Sequence, residues 1–106
     1  MVTGVDLVHL MIREALGERM ELVQAAIAPR GHAVECRIYA EDPDNGFMPS
    51  PGRMLGRRVP GGPGIRRDDG GATPGLDVPI FYDPLIAKLS AWGADRDEAT
   101  RRMARA

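Results

Sequence analysis

Residues 31–42, GHAVECRIYAED, decide the fold because apolar and polar side chains alternate along them. In an extended chain the two sets lie on opposite faces, with Val34, Cys36, Ile38 and Ala40 on one and Glu35, Arg37 and Tyr39 on the other. The branched and aromatic residues favour a strand. The pattern therefore predicts a β-strand with Cys36 turned toward the core and Arg37 turned away from it.

A second extended segment lies toward the C-terminus, where residues 85–92 read LIAKLSAW. Ala87, Leu89 and Ala91 alternate with other side chains, a pattern compatible with a strand or with a helical stretch. We favour a strand that pairs with the first one in a single sheet and ends at Gly93. The preceding VPIFYD, residues 78–83, also reads as extended.

A helix is expected before the sheet, over residues 4–16, which carry an apolar stripe at helical spacing. Thr3 and Asp6 resemble a capping box at its start, and Gly17 is a plausible stop. Core packing is the simplest role for this helix.

A second helix is expected over residues 96–106, with Asp95 as N-cap and Glu98 three residues later. No Gly or Pro stops this helix. We therefore expect the chain to be a fragment that is cut within or just after a helix.

Loops must take a large share of the 106 residues, because 13 are Gly and 9 are Pro. Turn sequences punctuate residues 42–75 and leave room only for short strands near residues 53–58 and 65–66. The predicted fold class is α+β: a small antiparallel sheet with flanking N- and C-terminal helices and long Gly/Pro-rich loops. It forms a single partial domain over residues 1–106, with its β-rich core at about residues 31–92.

Charge and cysteine content argue against several function classes. The 14 Lys and Arg against 15 Asp and Glu give a net charge of -1, which offers no basis for binding nucleic acid or a membrane surface. The single cysteine excludes an internal disulfide and a Cys-based zinc site, and His9 and His32 stand apart from other metal ligands. Without an apolar run or signal-peptide pattern, we expect a cytoplasmic protein with no metal site.

Few residues suggest chemistry on pattern alone. Arg37 stands out, because a guanidinium in mid-strand opposite the core stripe either meets solvent or a glutamate, or projects into a cleft. The glycine-rich PGGPG, residues 60–64, matches neither common phosphate-binding loop, and Pro63 lacks an N–H that a phosphate cradle would use. It reads as a rigid loop with Arg66 at its exit.

Several stretches together resemble one family: GHAVECRIYAEDPDNGFMPSPGR, PGGPGIRRDD, VPIFYDPLIAKLSAWG and DRDEATRRM. In this order they are similar to the carboxy-terminal domain of biotin carboxylase, the ATP-grasp component of acetyl-CoA, propionyl-CoA, methylcrotonyl-CoA and pyruvate carboxylases. The opening MVTGVDLVHLMIREALGE matches the helix that follows the family's catalytic stretch. The resemblance runs from Met1 to Ala106, and residues 67–71 and 74–75 depart from the common family sequence.

The resemblance implies a half-reaction in which bicarbonate and MgATP form carboxyphosphate, whose breakdown supplies CO2 and the phosphate that deprotonates biotin. Arg37 matches the family arginine that contacts bicarbonate and the biotin ureido oxygen, and is the candidate catalytic residue. Tyr82 and Asp83 match positions near the biotin side of the cleft. Pro63 and Arg66 match interface positions of the bacterial homodimer.

The resemblance also implies what this chain lacks. In the family, the ATP-grasp nucleotide site and its metal-binding glutamates precede the position of Met1, so the parent enzyme and not this chain should bind MgATP. The chain alone should be inactive. Expected partners are the remainder of biotin carboxylase, the biotin carboxyl carrier domain and the carboxyltransferase, with a homodimer of the parent enzyme. An alternative is a non-catalytic dimerisation or docking module of a carboxylase complex.

Overall fold

The structure, a computed structural model, describes residues 1–70, 73–79, 81 and 83–106. Two α-helices lie at the two ends of the described chain, and seven β-strands lie between them. The elements are α1 (Leu7–Ala15), β1 (His32–Tyr39), β2 (Glu41–Asp42), β3 (Met48–Pro49), β4 (Gly52–Arg53), β5 (Ile65–Asp69), β6 (Asp77–Val78), β7 (Leu85–Gly93) and α2 (Arg96–Arg105). Single 3-10 turns occur at Gln24–Ala26 and Pro43–Asn45.

The central sheet has three antiparallel strands in the order β1-β7-β5. Cys36 on β1 lies opposite Leu89 on β7, and Ile65 on β5 lies opposite Ala91. Two short antiparallel pairs, β2 with β3 and β4 with β6, accompany this sheet. The predicted α+β class is confirmed, and β7 occupies the segment in which the sequence left a strand and a helix open.

The core sits along one face of β7 and beneath α2. Its buried apolar residues, among those described, are Val78, Ala87, Leu89, Ala91 and Ala99. Helix α2 lies close to the end of β7, because a Cβ at Gly93 would stand 2.5 Å from the backbone N of Ala99. Small side chains at this crossing therefore let the helix approach the sheet.

Helix α2 begins after the predicted N-cap Asp95, but Glu98 does not complete a capping box. The Asp95 carboxylate accepts a hydrogen bond of 2.7 Å from the Glu98 amide. Glu98 in turn accepts from the amide of Ala94, at 2.6 Å, and not from that of Asp95 as in an ordinary capping box. Arg102 joins the helix to the sheet by donating to the Trp92 carbonyl at 2.6 Å, with its guanidinium 5.9 Å from the Trp92 ring centroid. It also donates to Glu98 at 2.7 Å within the helix.

Helix α1 departs from the prediction at its start and in its packing. It begins at Leu7, because the Asp6 carboxylate accepts from the His9 amide at 2.9 Å and so caps the helix. Thr3 lies outside the helix and accepts from the amide of Val5. The apolar stripe expected to pack in the core is exposed: Leu7, Val8, Met11 and Ile12 are each more than half accessible.

Cys36 was predicted to point into the core, and the expected burial is wrong because Cys36 is exposed. The alternation itself holds, since Cys36 lies opposite the buried Leu89. However, β1 is an edge strand of the sheet. Helix α2 contacts β1 at His32, the first residue of the strand, where Arg96 Nη1 lies 3.3 Å from His32 Nε2. The core-side residues farther along β1 therefore stand at the margin of the core.

The strands of the loop region differ from the prediction in position and length, and the pair of β2 and β3 was not predicted. The expected strand over residues 53–58 is limited to Gly52–Arg53, whereas the one near residues 65–66 extends to Asp69. Of the described residues in VPIFYD, only Val78 lies in β6 (Asp77–Val78), and residues 80 and 82 lie outside the described residues. Among the described helices, neither has the length and apolar character needed to cross a bilayer.

Candidate functional site

The candidate site lies on the sheet face opposite the core stripe. Arg37 on β1 and Asp68 on β5 both pair in register with Lys88 on β7, so the three form a row across the sheet. Glu35, Ser90 and Arg66 form the neighbouring row. Because alternate residues of a strand share a face, this face carries charged groups drawn from three strands.

Arg37 is held by two residues of its own strand. Its Nη1 donates to the Tyr39 hydroxyl at 3.3 Å, and its Nε lies 3.8 Å from a carboxylate oxygen of Glu35. The Arg37 side chain is 57% exposed, so a ligand can reach its guanidinium. The hydrogen bond to Tyr39, followed by smaller contributions from the carboxylates of Glu35 and Asp83, raises the pKa of Arg37 above its ordinary value.

Asp83 lies two residues before β7, near the end of β1. Its half-buried carboxylate accepts a hydrogen bond of 2.9 Å from the Leu85 amide, and the following Pro84 carbonyl accepts from the Ala40 amide at 2.9 Å. Asp83 therefore forms a local turn and also lies close enough to act electrostatically on Arg37. Tyr82, which sequence analysis grouped with Asp83, lies outside the described residues.

Of the two predicted interface residues, Pro63 lies just before the edge strand β5 and Arg66 lies within it. Pro63 is exposed in a turn that is closed by a hydrogen bond of 3.1 Å from the Ile65 amide to the Gly62 carbonyl. Arg66 donates two parallel hydrogen bonds to Asp68, at 2.9 and 3.0 Å. These bonds lower the pKa of Asp68, and their partner Arg66 stays 60% exposed. The interface role itself remains a prediction.

A second concave region lies on the opposite, core-side face. It is a cavity of about 260 Å³ whose lining includes the side chains of Ile38 and Leu89. At its rim, Asp69 pairs with Arg57 at 3.0 Å and with Arg67 at 2.9 Å. This cavity is separated from Arg37 by the sheet, so the two regions do not form one site.

The described side chains favour anion recognition and do not fit a metal centre. No group of three or more His, Cys, Asp or Glu among them could hold a metal ion. A guanidinium, in contrast, offers planar N–H donors that match a carbonate or an oxyanion. The part of the chain that the structure describes thus carries a group that can orient an anion.

Sequence reasoning placed Arg37 on the correct face but did not include its neighbours in the site. The signal for Glu35 and Tyr39 was present, because the same alternation puts them on the Arg37 face. Nothing in the sequence reveals Lys88 as a neighbour of Arg37, since that pairing depends on the register between β1 and β7.

Comparison with known proteins gives one consistent result. Residues 35–106 match the profile of the biotin carboxylase C-terminal domain. The chain is 55% identical over 106 residues to a biotin carboxylase of Nostoc, covering 100% of this chain and 24% of that protein. It is 50% identical over 105 residues to the human mitochondrial propionyl-CoA carboxylase alpha chain, covering 97% of this chain and 14% of that protein.

Solved structures give the same picture. The biotin carboxylase domain dimer of Hydrogenobacter thermophilus 2-oxoglutarate carboxylase, in complex with MgADP, ADP and bicarbonate, matches with a TM-score of 0.92 and 45% identity. That match covers 99% of this chain and 23% of the other. The chain therefore spans about a quarter of the length of the biotin carboxylases it matches.

Proposed function

Because the chain belongs to the biotin carboxylase C-terminal domain family, we propose that it supplies the Arg37-bearing wall of a biotin carboxylase active site. The observation that carries this proposal is the Arg37 guanidinium, which is exposed in mid-strand yet held by Tyr39 and Glu35. A related domain was solved with bicarbonate bound, which identifies the kind of anion such a wall would face.

The geometry suits Arg37 to two tasks in the carboxylation of biotin. Its N–H donors form a rigid fork that can orient planar bicarbonate, and its fixed positive charge can stabilise an oxyanion that develops at the ureido group. Biotin, when bound, supplies the ureido nitrogen that receives the carboxyl group. Lys88, opposite Arg37, adds a second positive charge to the same face.

In this proposal, other parts of a biotin carboxylase bind MgATP and carry out the steps that consume it. The described residues hold no candidate metal cluster, and the chain spans about a quarter of the matched biotin carboxylases. We therefore propose that MgATP binds outside this chain and that the chain has no carboxylase activity alone. The carrier domain that bears biotin and the carboxyltransferase that receives the carboxyl group are the proposed partners, and a second copy is proposed to pair near Arg66.

The test is Arg37→Ala in a complete biotin carboxylase that carries this domain. We expect the rate of carrier biotinyl carboxylation to fall about 100-fold or more, the size of effect seen when an oxyanion-stabilising donor is removed. Thermal unfolding should change little, because the Arg37 side chain is more than half exposed.

Arg101→Ala is the matched control, since Arg101 is an exposed arginine on α2. It should leave the rate unchanged. An Arg37→Ala enzyme with the rate of the unmodified enzyme would overturn the proposed function.

A further inference from the structure

Tyr39 is placed to control the direction in which Arg37 points. Its hydroxyl accepts from Arg37 Nη1 at 3.3 Å, while the carboxylate of Glu35, on the other side, stays 3.8 Å from Nε. Both partners lie two residues from Arg37 on β1, so the three side chains share one face. Of these two contacts only the one to Tyr39 is within hydrogen-bond distance.

A β-bulge sets the position of Tyr39. Ile38 pairs with Ala87, but Tyr39 pairs with Leu85, so the register of β1 and β7 slips by one residue between them. Bulges of this kind re-aim side chains and are enriched beside active sites. The hydrogen bond from the Ala40 amide to the Pro84 carbonyl continues the pairing just past the slip. The backbone of Tyr39 is therefore fixed on both sides.

A neutral hydroxyl suits this task better than a carboxylate would. An exposed arginine has several rotatable bonds and loses entropy when it is held in one direction. The opposite residue, Lys88, is a like charge that repels Arg37 and cannot hold it. The Tyr39 hydroxyl holds the guanidinium without neutralising the positive charge that an anionic substrate requires.

We propose that Tyr39 is a positioning residue, whose hydroxyl directs the Arg37 guanidinium toward the bound anion. This inference rests on the proposed function of Arg37. Tyr39 acts through Arg37 and needs no contact of its own with the substrate. A guanidinium has five N–H donors, so the bond to Tyr39 leaves the others available for a planar anion.

The test is Tyr39→Phe in a complete biotin carboxylase that carries this domain, because this change removes only the hydroxyl. We expect the KM for bicarbonate to rise about three- to ten-fold, the equivalent of one net hydrogen bond. The KM for ATP and the melting temperature should stay unchanged. In an Arg37→Ala background, adding Tyr39→Phe should produce no further change, since the residue it positions is gone.

The outcomes separate the two proposals. An unchanged bicarbonate KM in Tyr39→Phe, together with a large loss in Arg37→Ala, overturns the role of Tyr39 alone. No loss in either variant overturns the function of Arg37 itself. A lower melting temperature with equal changes in both KM values shows a structural role for Tyr39 and overturns the positioning role, as does a further loss in the Arg37→Ala background.

Discussion

Arg37 keeps its positive charge at any pH at which the protein is folded, because its neighbours raise a pKa that is already far above neutrality. Its electrostatic role is therefore independent of pH, and any pH dependence of a carboxylation step must come from other groups. Glu35 and Lys88 flank it with opposite charges, on its own strand and across the sheet. The direction of its side chain, and not its charge, is what the surrounding residues adjust.

Asp68 does titrate, and its pairing with Arg66 predicts a small dependence of stability on pH. Because the folded state lowers the pKa of Asp68, the pair stabilises the fold above about pH 4, the ordinary pKa of an aspartate. This stabilisation is lost as the pH falls through the lower, folded-state pKa. Both side chains are about half exposed or more, so solvent screening keeps the effect small.

Asp68→Asn should therefore lower the urea midpoint of unfolding slightly at pH 7, and the difference from the unmodified chain should shrink as the pH falls to 3. The single tryptophan, Trp92, reports unfolding through its fluorescence. Glu21→Gln, at an exposed loop carboxylate, is the control and should show no difference at either pH. A deficit of equal size at pH 7 and pH 3 would contradict the linkage.

For single residues, the sequence predicts the sheet face on which a side chain lies better than it predicts whether that side chain is buried. Alternation correctly turned Arg37 outward, and it correctly put Cys36 on the face of Leu89. It could not predict that Cys36 would be exposed, because burial depends on which element covers an edge strand. The hydrogen bond from Arg37 to Tyr39 also depends on the β-bulge between Ile38 and Tyr39, which no local sequence pattern predicts.

At the scale of elements, β7 organises the fold. It pairs with both other strands of the central sheet and supplies three of the buried apolar residues, Ala87, Leu89 and Ala91. The alternation of side chains in β7 and the capping residues of α2 allowed both elements to be predicted, because both signals are local in the sequence. The short strands between β1 and β7 were predicted poorly, since two-residue pairs are fixed by long-range contacts and not by propensity.

The crossing of β7 and α2 yields a sharper prediction. A Cβ at Gly93 would stand 2.5 Å from the Ala99 backbone N and 2.8 Å from Glu98 Cβ, and the helix backbone cannot yield as a flexible side chain would. Gly93→Ala should therefore destabilise the chain by about 1–3 kcal/mol, as overpacking usually does. Urea unfolding followed by Trp92 fluorescence measures this loss.

Gly56→Ala is the matched control for this change. A Cβ at Gly56 would meet no atom within 4 Å, and its backbone is not in the left-handed region. It should leave the urea midpoint unchanged or raise it slightly, because alanine reduces the entropy of the unfolded chain. Equal midpoints for Gly93→Ala and Gly56→Ala would show that α2 does not approach β7 as closely as the structure indicates.

The whole molecule is extended for its length. Its radius of gyration is 17.4 Å, whereas a compact domain of this size has about 13 Å. The buried apolar residues among those described are mostly small, while large apolar side chains along α1 and in the loops are exposed. The local patterns did not predict this, because an amphipathic stripe indicates that a face can be buried but not what buries it.

The exposed apolar surface predicts how the 106-residue chain behaves by itself. With so small a core, its free energy of unfolding should be at or below the lower end of the usual range, about 5 kcal/mol. The apolar face of α1, including Leu7 and Met11, should bind the hydrophobic dye ANS. A double change, Leu7→Gln with Met11→Gln, should reduce the ANS fluorescence without lowering the urea midpoint, because neither side chain is buried. If the unmodified chain failed to bind ANS, or if the double variant lost stability, the face of α1 would be covered in solution and the extended arrangement of the chain would be wrong.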